Sequence, residues 1–159
     1  MFRDGVARLL VFRVGAERFA LPLESVDGVV DAPAVQRVPD SGVALLGITM
    51  LRDAVVRVYD PRPILNVGGA ANGGGALLIF LRDDRRVGLA VDDVFDALTI
   101  EEAELRPAPG LAAADEVVLG VVRRGSDLTT VLDVETLLGM AAAGTGAAGA
   151  VAIGQGEKA

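Results

Sequence analysis

Apolar and polar residues alternate in short runs along most of this chain, a pattern that predicts β-strands. The first runs are RLLVFRV and FALPL, separated by the polar GAER, and together they predict an antiparallel hairpin. A second pair of runs lies in LLGITMLRDAVVRVYD, residues 45–60, on either side of the charged Arg52 and Asp53. This arrangement favours a hairpin turn at Leu51-Arg52-Asp53-Ala54. The chain is therefore expected to be mainly β.

Two blocks of this pattern occur twice in the same order. Residues 8–26 align without a gap with 76–94 at an offset of 68, and residues 45–65 align with 118–138 at an offset of 73. Any two hairpins in an aliphatic-rich chain look alike, so either block alone is weak evidence. The conserved order of both blocks favours an internal duplication.

Each half, about 8–66 and 76–139, consists of short strands with one brief helical turn, of the kind that curls into a small barrel. A half of about 70 residues is marginal alone, so we expect the two to bury apolar faces against each other. The Gly-rich segment 66–75 joins them as a flexible connection. The folded unit is predicted to span 1–143, with a flexible Ala/Gly-rich tail over 144–159.

Short helices are predicted after each repeated hairpin. Asp60 and Asp133 end equivalent strands and are expected to cap helices at Pro61–Leu65 and Val134–Met140. From Thr136 to Gly156 the chain carries no charge over about the length of a membrane span, but it is mostly Ala and Gly, whose transfer gain is small. We expect no direct membrane insertion.

Composition narrows the function. With 15 basic and 22 acidic residues the net charge is -7, which disfavours a nucleic-acid backbone or an anionic lipid surface as partner. The absence of His and Cys removes the commonest general base, the thiolate nucleophile and the usual zinc ligands. We therefore expect no catalytic residue, no metal and no cofactor, and the lack of Cys makes the cytoplasm the default compartment.

Two other classes of function stay open at this point. The acids Asp92, Asp93 and Asp96 suggest a metal cluster or a carboxylate pair, but nothing nearby completes a cation-binding loop, which favours a solvated turn. A carboxylate-based hydrolase would need a concave pocket with converging acids. A ligand-binding barrel would need a closed cavity.

Several motifs in register give the chain a family resemblance. The sequences LLVFRVGAERFALPL, LLGITMLRDAVVRVYD, RRVGLAVDDVFDAL and ELRPAPGL follow one another within residues 8–139. In this order they resemble the CheW family, the coupling proteins of bacterial chemotaxis. The resemblance implies two intertwined five-stranded SH3-like β-barrel subdomains packed together, with short helices and a C-terminal helix.

The resemblance also implies a function. It predicts a non-enzymatic cytoplasmic adaptor that links the cytoplasmic tip of methyl-accepting chemoreceptors at the inner membrane to the regulatory domain of the histidine kinase CheA. A divergent accessory protein, such as a motility regulator that binds the receptor or another partner without coupling the kinase, is the nearer alternative.

The same resemblance implies a set of partner-binding residues. Arg52 matches the Arg of the family's L-R-G motif, beside Asp53 and following Gly47 of the same block. Positions that line the groove between the barrels or its rim are matched by Val26, Leu46, Leu77, Val94 and Phe95. For these apolar residues a purely structural place in the core is the alternative, whereas Phe95, among acids after a strand end, is expected to be exposed.

The chain departs from the family pattern at four positions. Asp53 replaces a Gly, Arg57 a Pro and Pro61 a Leu. Gly28 occupies a position that is often acidic in the family. Because several of these lie in the expected partner-facing region, the sequence leaves open whether kinase coupling is retained.

Overall fold

The computed structural model describes residues 1–31, 33–38, 44–69, 75–110 and 115–143. The chain is mainly β, as predicted. Its strands are β1 (Val6–Val14), β2 (Glu17–Pro22), β3 (Gly28–Asp31), β4 (Gln36–Arg37), β5 (Leu45–Leu51), β6 (Ala54–Tyr59), β7 (Ala76–Arg82), β8 (Arg85–Val91), β9 (Asp93–Glu101), β10 (Val118–Arg124) and β11 (Asp127–Leu132). Its helices are α1 (Arg62–Leu65) and α2 (Val134–Ala143), with 3-10 turns at Leu23–Ser25, Glu102–Glu104 and Asp115–Val117.

The strands form two sheets, and each sheet takes strands from both halves of the repeat. Sheet 1 has the order β10-β11-β2-β1-β9, and sheet 2 has the order β3-β7-β8-β6-β5-β4. Neither half closes on itself, contrary to the expectation from the repeat alone. The halves exchange hairpins, and this is the intertwined arrangement that the family resemblance implies.

The register of the sheets supports the duplication. In sheet 1, β11 runs parallel to β2 with Thr130 opposite Phe19. In sheet 2, β6 runs parallel to β8 with Arg57 opposite Val87. The offset of 73 relates Arg57 to Thr130, and the offset of 68 relates Val87 to Phe19, so the two pairs are equivalent. The sheets therefore share one pairing scheme, and residues related by the offsets are structurally equivalent.

Both sheets curl toward closure. After β9 the chain returns to the opposite edge of sheet 1, where Arg106 and Val121 exchange backbone hydrogen bonds of 3.0 and 2.8 Å. In sheet 2 the strands β3 and β4, close in sequence, occupy the two opposite edges. These connections give each sheet the form of a small barrel.

Alternate residues of the central strands enter different cores. In β1, Leu9 and Val11 lie in a small core inside sheet 1, whereas Leu10 and Phe12 enter the core shared between the sheets. The equivalent β7 divides in the same way, with Leu77 and Ile79 in the small core of sheet 2. Both strands are buried on both faces, which explains their nearly continuous apolar sequence.

The two predicted helices are present with small shifts in their bounds. Helix α1 begins at Arg62 rather than Pro61, and the Asp60 carboxylate accepts the Arg62 amide at 3.0 Å. Helix α2 begins at Val134 and extends past the predicted Met140 to Ala143. No helix in the described ranges is long and apolar enough to cross a membrane. The predicted tail, 144–159, lies outside the described residues.

Candidate partner-binding surfaces

The β5–β6 hairpin presents Arg52 at its tip. Leu51 pairs with Ala54, so the predicted turn at these residues is confirmed. Arg52 and Asp53 both have positive φ, 50° and 67°, as a two-residue type I′ turn requires. The Arg52 side chain is exposed and makes no hydrogen bond or ion pair with any residue that the structure describes. Its five donors are therefore available to a partner.

Two exposed apolar side chains lie directly behind this turn. Met50 and Val55 are cross-strand neighbours, and each is 62% exposed. The sequence analysis did not single them out, although the alternation in β6 contained the signal, since Val56 and Val58 point into the core. Val55 also lines an open groove of about 650 Å³ between this hairpin and the β7–β8 turn. Arg52 thus stands at the edge of an apolar surface.

A second groove lies at the junction between the two sheets. We call it the junction groove, and its volume is about 600 Å³. The predicted partner-binding residue Val26 lines it and packs against the shared core. Leu81 and Leu119, 57% and 42% exposed, line it too and were missed by the sequence analysis. Leu119 is the repeat equivalent of Leu46, which is the signal that would have found it.

A buried ion pair occupies the equivalent place on the other side of the junction. The Arg62 guanidinium donates to Asp92 Oδ2 at 2.8 Å, and the same oxygen accepts the Gly15 amide at 2.6 Å. Arg62 also donates to the Gly68 carbonyl at 3.3 Å. We call Arg62 and Asp92 the clasp, because they join α1, the β8–β9 connection and the β1–β2 turn. The predicted site residue Val94 lies just beyond it, half-buried against the shared core.

Three of the predicted partner-binding residues lie behind the surface. Leu77 is 1% exposed in the small core of sheet 2, and Leu46 is half-buried against that core. Gly47 is buried, and a Cβ there would overlap the carbonyl oxygen of Gln36. These residues shape the sheet that carries the Arg52 hairpin, and their packing accounts for their identity.

Phe95 is half-buried rather than exposed as expected. It packs against the small core of sheet 1, and the Arg18 guanidinium lies 4.5 Å from the centroid of its ring. In sheet 2 the equivalent Arg86 instead donates to Asp27 Oδ2 at 3.0 Å. One arginine position therefore meets an aromatic ring in one sheet and a carboxylate in the other.

The acids near Phe95 serve local structure. Asp92 belongs to the clasp, and Asp93 Oδ1 accepts the Val94 amide at 2.9 Å. The described part of the chain contains no group of three or more acidic, His or Cys residues that could hold a metal ion. The hydrogen bonds of Asp92 and Asp93 account for these two acids as structural residues.

A surface ion pair fixes the connection that closes sheet 1. Arg124 donates to both carboxylate oxygens of Glu104, at 2.8 and 3.1 Å, and Glu104 also accepts the Glu101 amide at 2.8 Å. These bonds favour the charged form, so they hold the pKa of Glu104 below its usual range. The same hydrogen bonds raise the pKa of Arg124. The pair thereby pins the turn after β9 to β10.

The departures from the family pattern fit the fold. No atom lies within 4 Å of a Cβ built on Gly28, so packing does not require glycine there. Pro61 is buried immediately before α1. A proline fits there because the first residues of a helix have no carbonyl partner for their amide hydrogens, and proline has no amide hydrogen. Arg57 is exposed beside Val55 in the same groove, and Asp53 adopts the positive φ that the turn demands.

Comparison with known proteins decides the family. A model of the CheW-like domain matches residues 8–142, most of the chain. This chain belongs to the CheW-like domain family. It is 29% identical over 132 residues to the chemotaxis protein CheW of Klebsiella aerogenes, covering 81% of this chain and 80% of that protein. It is 26% identical over 134 residues to CheW of Bacillus subtilis, covering 82% and 86%.

The fold of the CheW-like family is also found among solved structures. The crystal structure of the scaffolding protein TtCheW from Thermoanaerobacter tengcongensis matches with a TM-score of 0.74 at 20% identity. The match covers 85% of this chain and 89% of that one. At this level of identity the likeness establishes the fold, and the mainly β architecture of two small barrels is confirmed.

Proposed function

We propose that this CheW-like chain is a cytoplasmic, non-enzymatic adaptor that couples chemoreceptors to a histidine kinase in a chemotaxis or chemosensory-like pathway. Its partners in this proposal are the cytoplasmic tip of a methyl-accepting receptor and the regulatory domain of the kinase CheA. The relatives named as chemotaxis proteins CheW, and the neighbour named as a scaffolding protein, support the assignment.

The observation that carries the proposal is the exposed Arg52 at the tip of the β5–β6 hairpin. A guanidinium without a partner among the described residues, next to the exposed Met50 and Val55, combines a directional donor with apolar area. Protein interfaces are enriched in arginine beside apolar side chains, since a planar fork can pair bidentately with carboxylates or carbonyls. This surface is suited to a protein partner.

An adaptor needs more than one contact surface. The first surface, which we call the hairpin surface, consists of Arg52, Met50 and Val55 on sheet 2. The second is the junction groove between the sheets, which is lined by Val26, Leu81 and Leu119. Two separate surfaces allow one chain to hold two proteins at once. Binding on both would let receptor conformation bias kinase activity through differential contacts.

The alternative function is that of an accessory protein that binds one partner without coupling the kinase. Asp53 favours it, because a carboxylate beside Arg52 lowers the attraction of that turn for an acidic partner. Arg57, in the groove next to Val55, adds a charge where the family has proline.

Binding measurements separate the two functions. The affinities of the chain for a soluble receptor fragment and for the isolated kinase regulatory domain are measured by calorimetry, singly and together. The adaptor proposal expects both to bind and a ternary complex to form, and the accessory alternative expects only one to bind. Asp53→Gly should strengthen binding at the hairpin surface. The matched control is Asp4→Gly, an exposed aspartate at a positive φ of 53° that lines neither groove. If neither partner binds, the adaptor proposal fails.

A further inference from the structure

The internal repeat relates the two sides of the junction between the sheets residue by residue. The offset of 68 takes Glu24 to Asp92, and the offset of 73 takes Glu135 to Arg62. Because both sheets have the same pairing scheme, these pairs of positions are structurally equivalent. One side therefore carries an arginine and a carboxylate, and the other side carries two carboxylates.

This difference in charge coincides with a difference in closure. The side chains of Arg62 and Asp92 are 8% and 13% exposed, and their ion pair fills its side of the junction. Glu24 and Glu135 are exposed and line the junction groove, which is open. Two ionised carboxylates repel each other, so the ion pair of the clasp has no counterpart between Glu24 and Glu135.

Four carboxylates line the junction groove, and Asp27 among them is already paired with Arg86 at 3.0 Å, whereas Glu24 and Glu135 have no close partner among the described residues. Glu135 makes no hydrogen bond or ion pair within the described ranges. Glu24 is contacted by the Met1 amino group at 3.8 Å, near the limit for an ion pair. The carboxylates of Glu24 and Glu135 are therefore available to a cation that enters the groove.

The rest of the groove is suited to the stem of a long basic side chain. Val26, Leu81 and Leu119 supply apolar surface between the acidic residues. An arginine buries its methylene groups along such a surface while its guanidinium pairs bidentately with carboxylates. Phosphate groups and acidic segments would be repelled from the same place.

We propose that the junction groove binds an arginine side chain of a partner protein, flanked by apolar residues, in the place that Arg62 takes on the opposite side. The clasp is the template within the same molecule, since it already holds a guanidinium against the equivalent carboxylate at 2.8 Å. The inference rests on the proposed function, because it specifies the chemistry that one partner of the adaptor presents.

A short peptide tests the site without any assumption about the partner. The probe is N-acetyl-Leu-Arg-Leu-amide, and its control has citrulline, which has nearly the same shape without the charge, in place of arginine. Backbone amide NMR signals are followed during titration. We expect the arginine peptide to shift the signals of Val26, Leu119 and Glu135, and the citrulline peptide to bind at least about fivefold more weakly. Equal binding of both peptides, or shifts confined to other regions, would overturn the inference.

A charge reversal tests the equivalence with the clasp. Glu135→Arg places a guanidinium at the position equivalent to Arg62, in the groove that Glu24 also lines, and should fill the groove from within. We expect it to abolish the shifts caused by the arginine peptide. Glu17→Arg makes the same change of charge at an exposed position of β2 outside the groove and should leave them unchanged. If the peptide binds the Glu135→Arg variant as it binds the unmodified chain, the clasp is not the right template.

The same variants distinguish this inference from the proposed function. With the receptor fragment and the kinase regulatory domain, Glu135→Arg should weaken the binding of one partner by about tenfold, and Glu17→Arg should not. If the arginine peptide occupies the groove but neither partner binds the unmodified chain, the site stands and the adaptor function fails. If both partners bind and Glu135→Arg changes neither affinity, the adaptor function stands and the inference is overturned.

Discussion

The guanidinium of Arg18 lies 4.5 Å from the centroid of the Phe95 ring, in a cation–π contact. Its repeat equivalent Arg86 forms an ion pair of 3.0 Å with Asp27, which is itself the equivalent of Phe95. The duplicated fold has kept the arginine and changed its partner. A ring offers apolar contact and a negative face, whereas a carboxylate offers a full charge and a hydrogen-bond acceptor.

The coupling between Arg18 and Phe95 is measurable by a double-mutant cycle. Arg18→Met and Phe95→Leu, singly and together, should give a coupling free energy of about 0.5–1 kcal/mol in urea unfolding, because the contact is partly exposed. The equivalent cycle with Arg86→Met and Asp27→Asn should give a value that falls when salt is added. A coupling between Arg18 and Phe95 that is as sensitive to salt would contradict a cation–π contact that is partly desolvated.

Gly47 is expected to be required by close backbone packing. A Cβ on Gly47 would overlap the Gln36 carbonyl, so Gly47→Ala must displace β4 and should lower the free energy of unfolding by about 1–3 kcal/mol. Gly28→Ala is the matched control, since nothing lies within 4 Å of a Cβ there, and should change it by less than about 0.5 kcal/mol. Similar losses of unfolding free energy for both substitutions, in thermal or urea unfolding, would contradict this prediction. They would mean that β4 moves away from a Cβ at position 47 without destabilising the fold.

The sequence pattern predicted the hairpins and helices of this chain well. It predicted only in part how the two halves of the repeat exchange these hairpins between the sheets. Alternation marked the hairpin at Arg52, and the two offsets relate the observed register at Phe19 to the one at Val87. The pattern could not show that β2 pairs with β11 of the other half, because burial on both faces looks the same whichever strand lies alongside. That arrangement came from the family resemblance.

The candidate site was predicted less completely than the fold. Arg52 and Val26 lie on accessible surfaces, but Leu77 proved to be core, since an apolar residue in a strand buried on both faces has the same sequence signature as one lining a groove. Arg62 was not singled out, because its ion pair joins residues that are distant in the chain. Its equivalent is an acid, so the repeat gave no signal either.

The clasp is expected to dominate the stability of the junction. Arg62→Met should lower the free energy of unfolding by about 3–5 kcal/mol, because it leaves Asp92 buried without its counter-charge. Arg86→Met removes an ion pair whose side chains are 44% and 39% exposed and should cost less than about 1 kcal/mol. Urea unfolding of the two variants gives the comparison, and equal losses would mean that Arg62 is not effectively buried.

Acid should weaken the closure of sheet 1 through Glu104. The pKa of Glu104 is lowered in the folded state, chiefly by its hydrogen bonds to Arg124, so its stabilising contribution is present above the pKa of an unfolded glutamate. It is lost as the pH falls through the lower folded-state value. Glu104→Gln should therefore reduce the dependence of the unfolding free energy on pH in the acid range below the pKa of an unfolded glutamate. Glu102→Gln, at an exposed neighbour, is the control, and an unchanged pH profile for Glu104→Gln would contradict the assignment.

The proposed function assigns the coupling of receptor to kinase to the Arg52 hairpin of this chain. The most direct measurement is autophosphorylation of the candidate kinase in receptor-containing membranes of the same organism, with the unmodified chain, with Arg52→Ala, and with Arg8→Ala as an exposed arginine of sheet 1. We expect kinase activity to depend on the receptor only when the chain is present, to lose that dependence with Arg52→Ala, and to keep it with Arg8→Ala. Kinase activity that is the same with and without the chain would contradict the account.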